Sequence, residues 1–100
     1  MKNFTNYSSF IFDLKMHISM KANPYANYII EFSCLDPILK DNRLSYKRVT
    51  YTEVCCIDSD NHLIWFDDWY EGYQKSFDII SIITVNEIIK LQNDYEDWLY

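Results

Sequence analysis

Apolar residues recur at Phe4, Tyr7, Ile11, Leu14 and Ile18, a three/four spacing that lays one stripe along a helix from Phe4 to about Lys21, ended by Asn23-Pro24. Phe10, Phe12, Met16 and Met20 fall partly outside that stripe, so the helix is apolar over more than one face and either sits deep or docks on a second surface; a thick core contact is expected ahead of a partner groove. Tyr28, Ile30, Phe32 and Cys34 then alternate with Glu31 and Ser33, which predicts a first strand. Asp36-Pro37 predicts a turn, with a short helical turn over Ile38-Leu39-Lys40-Asp41-Asn42. The β-rich run from Ser45 to Ile57 and the apolar Leu63 to Phe66 predict a hairpin closed by Asp58-Ser59-Asp60-Asn61. Ile79, Ile80, Ile82 and Ile83 cover both faces of a strand over Phe77 to Thr84, as in a central position covered on both sides.

At Thr84-Val85-Asn86-Glu87 the period changes, and a capping-box arrangement predicts a C-terminal helix with Ile88, Ile89, Tyr95 and Leu99 toward the sheet. The order is therefore helix, strand, loop, three-stranded meander, helix. This predicts one α+β domain over residues 1–100, an antiparallel sheet of about four strands with an N-terminal and a C-terminal helix.

Apolar content of 49% offsets chain entropy, and one Gly with two Pro leaves no flexible linker. The N-terminus lacks a signal-peptide pattern and no long apolar run occurs, so a cytoplasmic protein with no membrane partner is expected. Cys34, Cys55 and Cys56 form no even framework, and neighbours in a strand point apart, so free thiols are expected. His17 and His62 have no Cys or His within four residues, so neither a metal nor another cofactor is expected.

Charge divides the chain. Residues 53–100 hold eleven acids against two bases, a balance of −9, while residues 1–52 hold four acids against seven bases, +3, and the total is −6. Such polarity bears on partner choice and electrostatic steering. Lys40, Arg43, Lys47 and Arg48 are too few for a phosphate track and are expected to form a solvated rim or internal charge partners.

Enzymatic readings fare poorly. Asp58-Ser59-Asp60-Asn61-His62 begins like a calcium loop, but Leu63 and Trp69 stand where Gly and a bidentate acid are required. Asp67, Asp68 and Glu71 have the oxygen chemistry for Mg²⁺, yet no base is near in sequence to stabilise a transferring phosphate. There is no Gly-x-Ser-x-Gly motif and no P-loop, and the acidic surroundings of Cys55-Cys56 oppose a reactive thiolate. No catalytic residue is assigned.

Trp65, Phe66, Trp69, Tyr70 and Tyr73 put five aromatics in nine residues, of which Trp65 or Phe66 is expected to enter the core first. The remainder, Trp69, Tyr70 and Tyr73, mixed with Asp67, Asp68 and Glu71, has the makeup of a partner surface with aromatic anchors. A negative surface disfavours direct nucleic-acid binding, so the expected partner is a basic protein.

The stretch Trp65-Phe66-Asp67-Asp68-Trp69-Tyr70-Glu71-Gly72, followed by the Ile-rich Phe77 to Val85, resembles small proteins of phages and mobile elements, and the size and acidity are similar to anti-CRISPR proteins. That resemblance implies a non-enzymatic inhibitor that mimics phosphates and blocks the nucleic-acid cleft of a Cas effector. Asp58, Asp60, Asp67, Asp68, Glu71, Asp94, Glu96 and Asp97 would stand in for phosphates. The alternatives are an immunity protein neutralising a nuclease toxin, a small metal-dependent enzyme, and a self-associating phage accessory domain that forms a homodimer or larger assembly.

Overall fold

The computed structural model describes residues 3–85, which form one five-stranded antiparallel sheet and one helix. The elements are β1 (Asn3–Phe4), α1 (Tyr7–Ser19), β2 (Tyr28–Lys40), β3 (Arg43–Ile57), β4 (Leu63–Trp65) and β5 (Lys75–Thr84). Across the sheet the order is β1-β5-β2-β3-β4. The α+β class is as expected, while the expected C-terminal helix lies outside the described residues.

Helix α1 begins at Tyr7 rather than Phe4, because Asn6 adopts an extended conformation and its Oδ1 accepts from the Ser9 amide at 2.9 Å. Phe4 instead belongs to β1, opposite Phe77. The fully buried stripe is Phe10, Leu14 and Ile18, so Phe10 is core although it falls outside the predicted stripe. Phe12, Met16 and Met20 are exposed, which overturns the thick core contact.

Residues directly opposite in an antiparallel sheet share a face. The register Tyr28↔Cys55, Ile30↔Glu53, Phe32↔Tyr51 and Cys34↔Val49 therefore places these side chains on the α1 side. Ile29, Val54 and Ile83 take the other side. Strand β5 is bulged: Glu31 faces Ser81 but Phe32 faces Ile79, so Ile80 is the extra residue. The bulge lets both Ile79 and Ile82 reach the core side, which explains an isoleucine run that ignores strict alternation.

Further expectations fail. Asp36-Pro37 is no turn and no helical turn follows it over residues 38–42; β2 runs through to Lys40, Asp36 opposite Lys47, Pro37 opposite Tyr46 and Ile38 opposite Ser45. Beyond Leu35 the strand has lost its β5 neighbour, and a proline is tolerated where a strand is an edge. The real turn is Asp41-Asn42, with φ of 53° and 62°, the left-handed pair that a two-residue type I′ hairpin requires. The β2–β3 hairpin thus projects past the sheet as a two-stranded arm.

The meander is also broken. The β3–β4 hairpin forms as expected, with Cys55 opposite Trp65 and Ile57 opposite Leu63. Strand β5 does not continue from β4, however, but returns beside β2. Residues 66–74 therefore cross over β3 and β2 on the α1 side.

Candidate functional site

The crossover contains most of the expected partner surface, and it sorts those residues sharply. Trp69 is only 8% exposed and is the centre of an aromatic cluster, with ring centroids 4.7 Å from Phe32, 5.4 Å from Trp65, 5.6 Å from Tyr51 and 5.9 Å from Tyr7. It is a core residue and not an exposed anchor. Its Nε1 is buried without a hydrogen-bond partner among the described residues. Phe66, in contrast, is half exposed, while Trp65 packs against the core and donates from Nε1 to the Tyr7 hydroxyl at 3.0 Å. Burial, ahead of any other influence, holds the Tyr7 phenol above its ordinary pKa.

Tyr70 stacks flat on Tyr7, centroids 3.7 Å apart, and keeps an exposed edge. Tyr73 is 70% exposed. Between them Gly72 sits at φ +90°, a conformation that other residues rarely adopt. Buried Gln74 ties the loop together: its Oε1 accepts from the Glu71 amide at 3.3 Å and its Nε2 donates to the Trp69 carbonyl at 3.5 Å.

Asp67, Asp68 and Glu71 remain exposed on this crossover. Asp67 follows Phe66, whose amide makes the last bond to the β3 edge at the Val54 carbonyl, and lies close enough to Glu53 for the two charges to interact. Burial and then the Asp67 charge raise the Glu53 carboxyl above its ordinary value. Glu53 was not assigned from sequence; the signal was the hairpin itself, which brings 53 near 67 once 55 is paired with 65.

At the other end of β4 is the Asp58–His62 turn, where Asn61 takes φ 63° and donates its amide to the Asp58 carbonyl. Asp58 Oδ1 accepts from the His62 and Asp60 amides at 2.8 and 2.9 Å, and the His62 bond foremost holds this carboxyl below its usual range. Asp58, Asp60 and His62 each bring a ligand atom within 4.8 Å of the others. One Asp58 oxygen is occupied by two amides and the turn is open to solvent, so the trio is a capped hairpin turn. Asp94, Glu96 and Asp97 lie outside the described residues.

The outcome is an acidic margin along β4, from Asp58 and Asp60 at one end to Glu53, Asp67 and Asp68 at the other. Among the described residues the ion pairs are His17–Asp13, Arg48–Asp78 and His62–Asp58, so no Lys or Arg neutralises Glu53, Asp60, Asp67, Asp68 or Glu71. The bases expected as a solvated rim or as internal charge partners lie on the hairpin arm and divide between those two roles. Lys40, Arg43 and Lys47 share its α1 side by register. Arg48 turns to the opposite face, where Nη1 meets Ser33 Oγ at 3.1 Å, the Ser76 carbonyl at 3.0 Å and Asp78 Oδ2 at 3.1 Å. Cys34, Cys55 and Cys56 are free thiols, as expected.

No helix among the described residues is long and apolar enough to cross a membrane. Comparisons with protein-family models, with curated proteins and with solved structures find no match.

Proposed function

We propose that the chain is a non-enzymatic inhibitor whose acidic β4 margin occupies the basic cleft of a nucleic-acid-handling protein. The observation that carries this reading is the row of Asp60, Asp67 and Asp68, which no Lys or Arg among the described residues neutralises, with Glu53 crowded against Asp67 and Asp58 paired only with His62. Exposed carboxylates spaced along a strand margin present negative charge to a flat or concave basic surface, as a nucleic-acid backbone does. Tyr73 and the exposed edge of Tyr70 border that row and supply apolar contact. The resemblance to anti-CRISPR proteins makes a Cas effector the target class proposed, with its nucleic-acid cleft as the surface covered.

The test is competition. Added to a purified Cas effector or nuclease, the protein should displace bound nucleic acid, with an affinity that falls as salt is raised. Replacing Asp67, Asp68 and Glu71 together by Lys, at exposed loop positions, should abolish displacement without lowering the circular-dichroism melt, since a Lys at 67 relieves the repulsion on Glu53. A triple variant that binds as the parent does, with the same salt slope, would sink the reading.

A further inference from the structure

The outer edge of β3 raises a separate question. From Arg43 to Glu53 it faces no strand among the described residues, since β4 pairs only with Cys55–Ile57 and the Phe66 amide takes the Val54 carbonyl. Long open edges are ordinarily blunted by proline, a bulge or short length. None of these is present: the segment has no Pro or Gly, and its register with β2 runs without a shift. Only its charges stand against pairing.

We propose that this edge joins the same edge of a second copy of the chain, antiparallel about a two-fold axis at Arg48, to make one continuous sheet. Three observations fix that register. The Val54 carbonyl points outward to Phe66, so by strand alternation Leu44, Tyr46, Arg48, Thr50 and Thr52 also turn their N–H and C=O groups outward. A two-fold at Arg48 sets outward groups against outward groups, Tyr46 facing Thr50 and Leu44 facing Thr52 of the second copy. The Asp41-Asn42 turn ends the free edge on one side and β4 on the other, so this register uses its whole length.

Charge then favours the match. The same register sets Arg43 of each copy opposite Glu53 of the other, giving a cation to a carboxylate that makes no ion pair among the described residues and feels the Asp67 charge. The one directly opposed like-charge pair, Arg48 at the axis, is defused because its guanidinium is drawn inward to Ser33, Ser76 and Asp78, while the two Lys47 side chains meet only diagonally. Tyr46 and Leu44, 38% and 63% exposed in one chain, gain threonine methyls as cross-strand neighbours.

Light scattering on the protein alone tests this independently of any inhibitor role. Wild type should show twice the 12.1 kDa chain mass and dissociate on dilution. Thr50→Pro removes only an outward amide and should give a single-chain mass with an unchanged melt. Arg43→Glu sets carboxylate against carboxylate between copies while gaining Lys40 as an opposite neighbour within its own hairpin, and should raise the dissociation constant roughly tenfold. Combining it with Glu53→Arg should restore association. A single-chain mass for wild type at every concentration would overturn the proposal, as would charge variants that associate like wild type, whether or not Thr50→Pro folds.

Discussion

Trp69 stands edge-on to Phe32, centroids 4.7 Å apart and planes at 60°, and this contact pins the crossover loop to the middle of the sheet. A ring buried from a loop must replace the packing that a regular element would have supplied. Trp69→Ala should therefore cost about 3–5 kcal/mol, a cavity-scale loss. Trp69→Phe should cost only about 1 kcal/mol, because the smaller ring also removes the buried Nε1–H that has no acceptor among the described residues. Urea midpoints of the two variants measure the difference.

The same ring shows what the sequence did and did not display. Elements whose periodicity is enforced by burial on one side were legible: the body of α1, the start of β2 and the β3–β4 hairpin; β5 was legible from its β-branched run, whose lapse in alternation is the bulge at Ile80 and not cover on both sides. Trp69 was not, because a loop crossing a sheet has no period, and nothing local separates a ring that plugs the core from one that faces solvent. Asp36-Pro37 misled for a related reason. Its turn chemistry is genuine, but the pairing with β3 and the missing β5 neighbour, both long-range facts, make a strand of it. Of the candidate site, Asp58, Asp60, Asp67, Asp68 and Glu71 were legible as solvated acids, whereas Glu53 emerged only from the β3–β4 hairpin.

Beneath the crossover, the Tyr51 hydroxyl donates to Asp36 Oδ2, and the Cys34 thiol donates to Asp36 Oδ1 at 3.5 Å. Tyr51→Phe removes one of these donors and should cost about 1–3 kcal/mol, read from thermal or urea unfolding.

Alkali should weaken the fold through the thiols nearby. Burial first, then the Asp36 charge, pushes Cys34 up to about 12, and burial raises Cys55 to about 12, both from an ordinary 9.0. A raised folded pKa means that the proton is held more tightly in the fold. The resulting stability is fully present below about pH 9 and is lost as pH climbs from there through about 12. Urea midpoints should accordingly fall between pH 8 and pH 10, and at pH 8 Cys34 and Cys55 should react with thiol reagents only at the rate of unfolding.

Arg48 holds together two strands that do not touch. From β3 it reaches across β2 to Ser76 and Asp78 of β5, and Ser76 sits at φ 56°, a left-handed conformation that the two Arg48 bonds brace. Arg48→Ala should lower stability by about 1–2 kcal/mol, reduced from a buried pair because this guanidinium is partly solvated. Arg48→Lys should not restore it, since an ammonium cannot donate to the Ser76 carbonyl, the Ser76 hydroxyl and Asp78 in a fixed fork. Chemical denaturation of both variants separates charge from geometry.

Glu53 offers a pH test confined to one residue. Its carboxyl is raised from 4.5 by burial and by Asp67, so the fold prefers Glu53 protonated. That contribution favours the folded state at acid pH and is lost as pH rises past the folded value, leaving an uncompensated charge at neutrality. Glu53→Gln removes the charge and keeps the shape. In the Thr50→Pro background, where no second copy is expected to supply a cation, Glu53→Gln should raise the urea midpoint at pH 7 and leave it unchanged near pH 3. In the otherwise wild-type chain the sign should reverse at concentrations that favour association, because Gln forfeits the pair with Arg43 of the second copy. A stabilisation at pH 7 that persists equally at acid pH would assign the effect to packing and not to the Glu53–Asp67 repulsion.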